Sequence, residues 1–292
     1  MVDLATPAIK SAARLARALP EPVALAVGDT AARLSSRVTP ERRRLAARNL
    51  CRVDPDLRGW RLHRSVSRLF ESYGRYWVES FRLPGTSLAD IDAGFTAEGL
   101  EHIAAAREKG AGAIMALPHL GGWEWAGFWL TRVQGIPVTA VVEQLEPPDL
   151  FEWFVELRRS IGMEVVPLGP EAGKATIRAL RNNDLLALLC DRDLVGDGIE
   201  VEFFGERTTL PGGPAVLALR TGAPLLPTAI YFRGSKRHGV VCPPLDTTRH
   251  GTLREDISRI TQDVANALED LIREAPEQWH LLQPNWPSDR GS

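Results

Sequence analysis

Between residues 94 and 242, short aliphatic and β-branched runs alternate with stretches whose apolar residues recur three and four apart, and few folds accept that rhythm. The runs are 112–117 (GAIMAL), 137–142 (PVTAVV), 164–168 (EVVPL), 185–190 (LLALLC), 224–231 and 239–242. Helical spacing occupies 123–133, 148–161, 173–181 and 214–221 between them. Strands this continuously apolar are buried on both faces, which requires helices packed above and below the sheet. The pattern predicts an α/β fold, a mixed sheet flanked by helices on both faces and containing some parallel strands. A last helix at 252–274 leads into an aromatic tail, 279–286, too apolar to be a loose end. With no internal repeat or low-complexity linker, residues 85–292 read as one α/β body.

The preceding residues have a different texture. Apolar spacing predicts helices at 5–19, 22–38, 40–49 and 57–82, with prolines and an Asp-Pro step at the joins. In the last of these, Leu62, Val66, Leu69, Phe70, Tyr73, Trp77 and Phe81 form an apolar stripe, and Arg61, Arg64, Arg68 and Arg75 lie off it. Residues 1–82 hold 16 Lys+Arg, 15 of them Arg, against 8 Asp+Glu; the remainder holds 19 against 29. A helical, basic N-terminal region, 1–84, follows from this. It is either packed on a core with a solvated basic face or resting on an anionic membrane surface, and nucleic acid or anionic lipid would suit its arginines. At 44% hydrophobic and 25% charged residues, with a net charge of −2, the chain is neither disordered nor collagen-like. No run reaches the roughly 18–20 apolar residues of a membrane span, and no secretory signal is expected. The three cysteines, Cys51, Cys190 and Cys242, share no disulfide or zinc spacing, so a reducing, cytoplasmic compartment is expected.

Chemistry concentrates in the segment MALPHLGGWEWAG, residues 115–127. An apolar strand ends at Pro118, His119 follows at its C-terminal edge, Gly121 and Gly122 allow a tight turn, and a helix begins near Trp123. Ligands bind at that edge of an open α/β sheet. His119 and Glu124 on one helix would face apart, about 100° per residue. With His119 in the turn and Glu124 in the first helical turn, the carboxylate can reach back to one imidazole nitrogen, fixing the tautomer while the other nitrogen takes a proton. The plainer reading is a structural histidine beside a first-turn Glu that complements the helix dipole. Metalloprotease, G-x-S-x-G and P-loop motifs are missing. A base without a nucleophile of the protein's own implies a substrate that brings one, such as a hydroxyl, which describes an acyltransferase.

His119-Leu-Gly-Gly-Trp-Glu124 resembles the His-x4-Glu/Asp signature of the glycerolipid and lipid A acyltransferase family. The likeness continues, in order, through Arg158-Arg159-Ser-Ile-Gly162, Asp191-Arg192-Asp193, Glu200-Val-Glu202-Phe-Phe-Gly205, the 209–227 block and Pro276-Glu-Gln-Trp-His280. The closing residues 277–287 and the acidic Glu200, where lipid A enzymes usually carry an apolar residue, are closer to the mycobacterial phosphatidylinositol mannoside acyltransferase branch. Lipid A enzymes typically have Asn at the position of Gly122 and Gln at that of Arg192.

The resemblance implies transfer of a long acyl group, palmitoyl, from acyl-CoA to the 6-hydroxyl of a mannose on phosphatidylinositol mannoside. It implies no cofactor beyond acyl-CoA as co-substrate, no metal and no nucleic acid, and a peripheral position on the cytoplasmic face of the plasma membrane. His119 is the expected base, Glu124 its orienting acid and Glu200 a second acid near it, although Glu200 and Glu202 also alternate as the outer face of a strand would. Arg158, or its neighbour Arg159 in its place, is the candidate clamp for coenzyme A phosphates. Arg192, Asp193 and Glu143 are expected to bind substrate, and Trp123, Trp125, Phe128 and Trp129 to line an acyl channel or pack as core. The alternatives are a lipid A precursor acyltransferase using acyl carrier protein, a thioester hydrolase, and a non-catalytic anionic-lipid-binding protein.

Overall fold

The computed structural model describes residues 5–144 and 147–289, so the outermost residues of the spans 1–84 and 85–292 lie outside the described residues. Four helices come first: α1 (Ala5–Ala18), α2 (Glu21–Val38), α3 (Pro40–Val53) and α4 (Gly59–Arg82). There follow α5 (Leu88–Ala93), β1 (Phe95–Glu98), α6 (Leu100–Glu108), β2 (Ala113–Leu117), α7 (Trp123–Phe128), β3 (Val138–Val142), α8 (Pro148–Ser160), β4 (Glu164–Pro167), α9 (Ala172–Arg181) and β5 (Leu185–Leu189). The remainder comprises β6 (Ile199–Phe203), β7 (Glu206–Leu210), α10 (Gly213–Thr221), β8 (Leu225–Arg233), β9 (Lys236–Val241) and α11 (Leu253–Arg273).

Seven strands form one sheet in the order β1-β9-β8-β2-β5-β3-β4, in which only β8 and β9 pair antiparallel, and β6–β7 is a separate hairpin. The fold is thus α/β with a mixed sheet, as the alternation predicts. β2 is central and wholly buried, and its side chains divide by parity. Ile114 and Ala116 enter a core with α10, α11, Trp279 and Trp286, whereas Met115 and Leu117 enter a second core with α5, α6 and α7. Helices therefore cover both faces. The tail expected to be buried is: Trp279 and Trp286 are 1% and 0% exposed.

Several elements depart from the sequence expectation. β1 (FTAE) is a four-residue edge strand alternating with polar positions, α5 and α6 are too short to show a sustained stripe, and the β8–β9 hairpin extends past both expected strands because Gly234 turns at φ +60°. The helix expected across 123–133 is α7 followed by a π-helical turn, Trp129–Val133.

The α4 stripe is buried at Val66, Leu69, Phe70 and Phe81 against α1, α3 and Leu282. α2 crosses α4 so closely that a Cβ on Gly28 would lie 2.4 Å from Val78 Cγ2. Farther along α4, buried Glu79 bridges Arg75 (2.6 Å) and Arg237 of β9 (2.5 Å), and the Arg237 guanidinium stacks on Trp125 at 3.6 Å. The helical region is thereby tied to the sheet edge and to α7. Among the described residues no helix is long and apolar enough to cross a membrane.

Candidate active site

β2 and β5 run parallel with Leu117 opposite Leu189, so two residues beyond each strand His119 and Asp191 emerge side by side at the C-terminal edge. Asp191 is 0% exposed and accepts three hydrogen bonds: from His119 Nδ1 (2.6 Å), the His119 backbone N–H (3.0 Å) and Trp279 Nε1 (2.7 Å). Burial pushes its carboxyl up, but the neighbouring His119 charge and these donors outweigh burial and hold it below the usual carboxylate range. A buried carboxylate on Nδ1 keeps the proton there and leaves Nε2 as the basic nitrogen. That nitrogen has no partner among the described residues, and the side chain is 24% exposed.

The turn carrying His119 is held by the C-terminal tail. Gly121 N–H donates to Gln278 O (3.0 Å), Leu120 bridges Trp279, and His280 N–H donates to His119 O (2.6 Å). Gly121 has φ +63°, and a Cβ there would lie 1.8 Å from Ile230 O, so only glycine fits. Asn285 Nδ2 closes the other side on Asp191 O (3.0 Å). Trp123 stands edge-on to the His119 ring (centroids 5.8 Å), stacks on Tyr76 (4.2 Å) and meets His280 (6.1 Å). Burial, helped by the His119 charge, pushes the His280 imidazole down to about 3, so it is neutral; Nε2 bonds Ser72 Oγ (2.9 Å).

Glu124 is not the partner of His119, contrary to the contact expected from the His-x4-Glu spacing. It is buried at the start of α7, where Arg158 of α8 engages it through Nη2 (2.6 Å) and Nε (3.1 Å) and Tyr76 of α4 donates at 3.2 Å. Two donors from two other helices satisfy the carboxylate and turn it away from the imidazole. Burial pulls the Arg158 guanidinium down, but the Glu124 charge more than offsets this; burial and the same charge push the Tyr76 phenol well up. Arg158 is consequently committed to Glu124 and is not a free phosphate clamp.

Glu200, expected as a second acid near the histidine, points outward from the β6–β7 hairpin, 70% exposed and paired with Arg207 (3.2 Å). Its alternation with Val201 reports the outer face of that hairpin, and the acid beside the imidazole is Asp191. Arg192 and Glu143, both expected to bind substrate, pair with each other (2.6 Å) beyond β5 and β3, and Arg192 Nε is buried with no partner among the described residues. Asp193 accepts from the backbone of Val195, Gly196 and Gly198 and from Thr209 Oγ1, so its oxygens build the loop after β5 instead of reaching for a sugar. Those donors outweigh its burial and hold its carboxyl below the usual range.

From Trp123 an apolar cavity of about 90 Å³ runs between the sheet and α6–α7, lined by Met115, Leu117, Ala126, Trp129, Met163 and Leu188, with Glu124 and Arg158 among its few polar groups. Trp123 and Trp129 therefore face the channel; Trp125, under Arg237 and bonded to Ile91 O, is core, as is Phe128. A base with one nitrogen fixed and the other open, beside a greasy channel, can deprotonate a hydroxyl at the carbonyl of an acyl chain.

The sequence profile of the family described as bacterial lipid A biosynthesis acyltransferase matches residues 8–288. The phosphatidylinositol mannoside acyltransferase of Mycolicibacterium smegmatis is 39% identical over 284 residues, covering 94% of this chain and 89% of the relative. Proteins of the same name from two strains of Mycobacterium tuberculosis are 43% identical over 224 residues, covering 75% of this chain and 69% of their own length.

Proposed function

Because the chain belongs to the bacterial lipid A biosynthesis acyltransferase family, we propose that it moves a palmitoyl group from coenzyme A to the 6-hydroxyl of a mannose on phosphatidylinositol mannoside. It is an O-acyltransferase. The acceptor follows the activity for which its relatives are named. The acceptor oxygen attacks the thioester carbonyl carbon while its proton passes to His119 Nε2. The tetrahedral intermediate then expels the thiolate, which takes the proton back from the imidazolium, leaving an ester and free coenzyme A. No acyl-enzyme forms. Asp191 holds the Nδ1–H tautomer and offsets the imidazolium charge.

Glu124 acts as a positioning residue: its pair with Arg158 and Tyr76 sets the start of α7 and so the placement of Trp123 between imidazole and channel. Arg192 and Glu143 present a polar rim toward substrate. The basic region 1–84 holds the enzyme peripherally on the cytoplasmic membrane face, with 85–292 as the catalytic body and acyl-CoA as co-substrate.

The observation carrying this reading is the unpartnered Nε2 of a histidine whose Nδ1 is bonded to a wholly buried carboxylate at 2.6 Å. The test is coenzyme A release from palmitoyl-coenzyme A with a panel of mannosylated and glucosamine-based lipids. Mannosylated phosphatidylinositol should raise release sharply, and His119→Ala should lose roughly 10²–10⁴-fold. Release without acceptor dependence would indicate a hydrolase, preference for glucosamine lipids and acyl carrier protein thioesters a lipid A enzyme, and indifference to His119→Ala a binding protein.

A further inference from the structure

A second apolar cavity, about 300 Å³, lies among α1, α2 and α4, away from the channel under Trp123. It occupies the gap between the α3–α4 cluster and the α1–α4–α8 cluster, with Leu15, Ala24, Val27, Phe70 and Trp77 in its walls. Packed interiors hold few openings larger than a water molecule, and an apolar one of this size has room for a hydrocarbon ligand. The rim is itself apolar: Leu15 and Val27 both line the cavity and remain 51% and 46% exposed. Arg42, at the start of α3, is the cation on the lining; it is exposed and makes no ion pair among the described residues. An alkyl-lined hole with an apolar lip and one free guanidinium complements a molecule with a hydrocarbon tail and an anionic oxygen group near its root.

The cavity is also close to the reacting centre. Tyr73, in its wall, lies against His280 (5.3 Å), His280 against Trp123 (6.1 Å), and Trp123 against His119 (5.8 Å). Three rings in series, Tyr73, His280 and Trp123, separate the cavity from His119.

We propose that this cavity takes one fatty acyl chain of the glycerophospholipid acceptor, with the acceptor's phosphate on Arg42. The proposal rests on the acceptor assigned above. It adds that donor and acceptor chains occupy different cavities, on either side of the Tyr76–Trp123 pair, so the acceptor is drawn partly out of the bilayer and its head group held over Nε2. The apolar lip lets the chain enter without crossing water.

The experiment reads labelling and not turnover, so it stands or falls separately from the activity assay. The full chain, in nonionic detergent, is irradiated with phosphatidylinositol bearing a diazirine midway along one acyl chain, and the labelled residues are mapped by mass spectrometry. Labels should fall on the walls contributed by α1, α2 and α4. Ala24→Phe, or the milder Ala16→Leu if the first fails to fold, should fill the cavity and cut this labelling at least fivefold. The parent should label roughly tenfold better with phosphatidylinositol than with a diazirine diacylglycerol, a difference expected of one charged hydrogen bond, and Arg42→Ala should erase that preference. Excess palmitoyl-coenzyme A should leave the labelling intact. Labels confined to the channel under Trp123, labels displaced by palmitoyl-coenzyme A, or labels unaffected by both cavity-filling variants would each overturn the proposal.

Discussion

Asp191 keeps its charge while wholly out of water because three N–H groups are aimed at it, and that sets what substitution does. Asp191→Asn keeps the volume but loses the charge and the fixed tautomer, so kcat should fall by roughly 10³–10⁴ with KM nearly unchanged; steady-state kinetics with both substrates measures it. Asp191 and His280 together shape acid stability. Asp191 titrates lower folded than unfolded, so its stabilisation is complete above about pH 4 and lost as pH falls through its depressed value. His280 must be neutral when folded but ionises near 6.5 when unfolded, so its stabilisation is complete above about 6.5 and lost progressively toward about 3. Urea midpoints should decline from pH 6.5 downward in the parent, whereas His280→Phe should stay flat until the carboxylates titrate. His119 was legible because strand, Pro-His and Gly-Gly meet within a few residues. Asp191 was visible only as one half of an acidic pair after a strand. Its role depends on β5 lying parallel to β2 with Leu117 opposite Leu189, a register that residue spacing along the chain does not contain.

Among the helices, the buried Glu124–Arg158–Tyr76 group joins α7, α8 and α4. Glu124→Gln leaves Arg158 charged without its partner, and thermal or urea unfolding should show a loss of about 3–5 kcal/mol. Combining it with Arg158→Met should restore part of that stability, since a buried pair replaced by apolar volume costs little. The buried strands of the main sheet and the long helices were readable from periodicity, because burial on both faces leaves an unbroken apolar run and burial on one leaves a stripe. The destination of Glu124 was not, since its partners come from α8 and α4 and nothing local distinguishes a first-turn acid that reaches backward from one that reaches across. The turn before α7 gives a sharper expectation: Gly121→Ala must move the chain off Ile230, and should cost at least about 2 kcal/mol together with most of the activity, read by unfolding and by turnover.

Taken entire, the molecule sets an α/β body against a group of arginine-rich helices. If that group sits on anionic lipid, Arg44, Arg61 and Arg64, all exposed, each contribute about 1 kcal/mol near the surface. Charge reversal of the three should weaken partitioning onto phosphatidylglycerol vesicles more than tenfold, measured by sedimentation at low and high salt. The tail residues 278–285 supply the strand-like pairing for the His119 turn, one donor to the Asp191 carboxylate and another to its carbonyl. During translation, therefore, a ribosome can finish every strand of the sheet while the imidazole still lacks its clamp. A nascent chain halted short of that segment would carry all the walls of the apolar channel yet lack the contacts that hold its histidine in place.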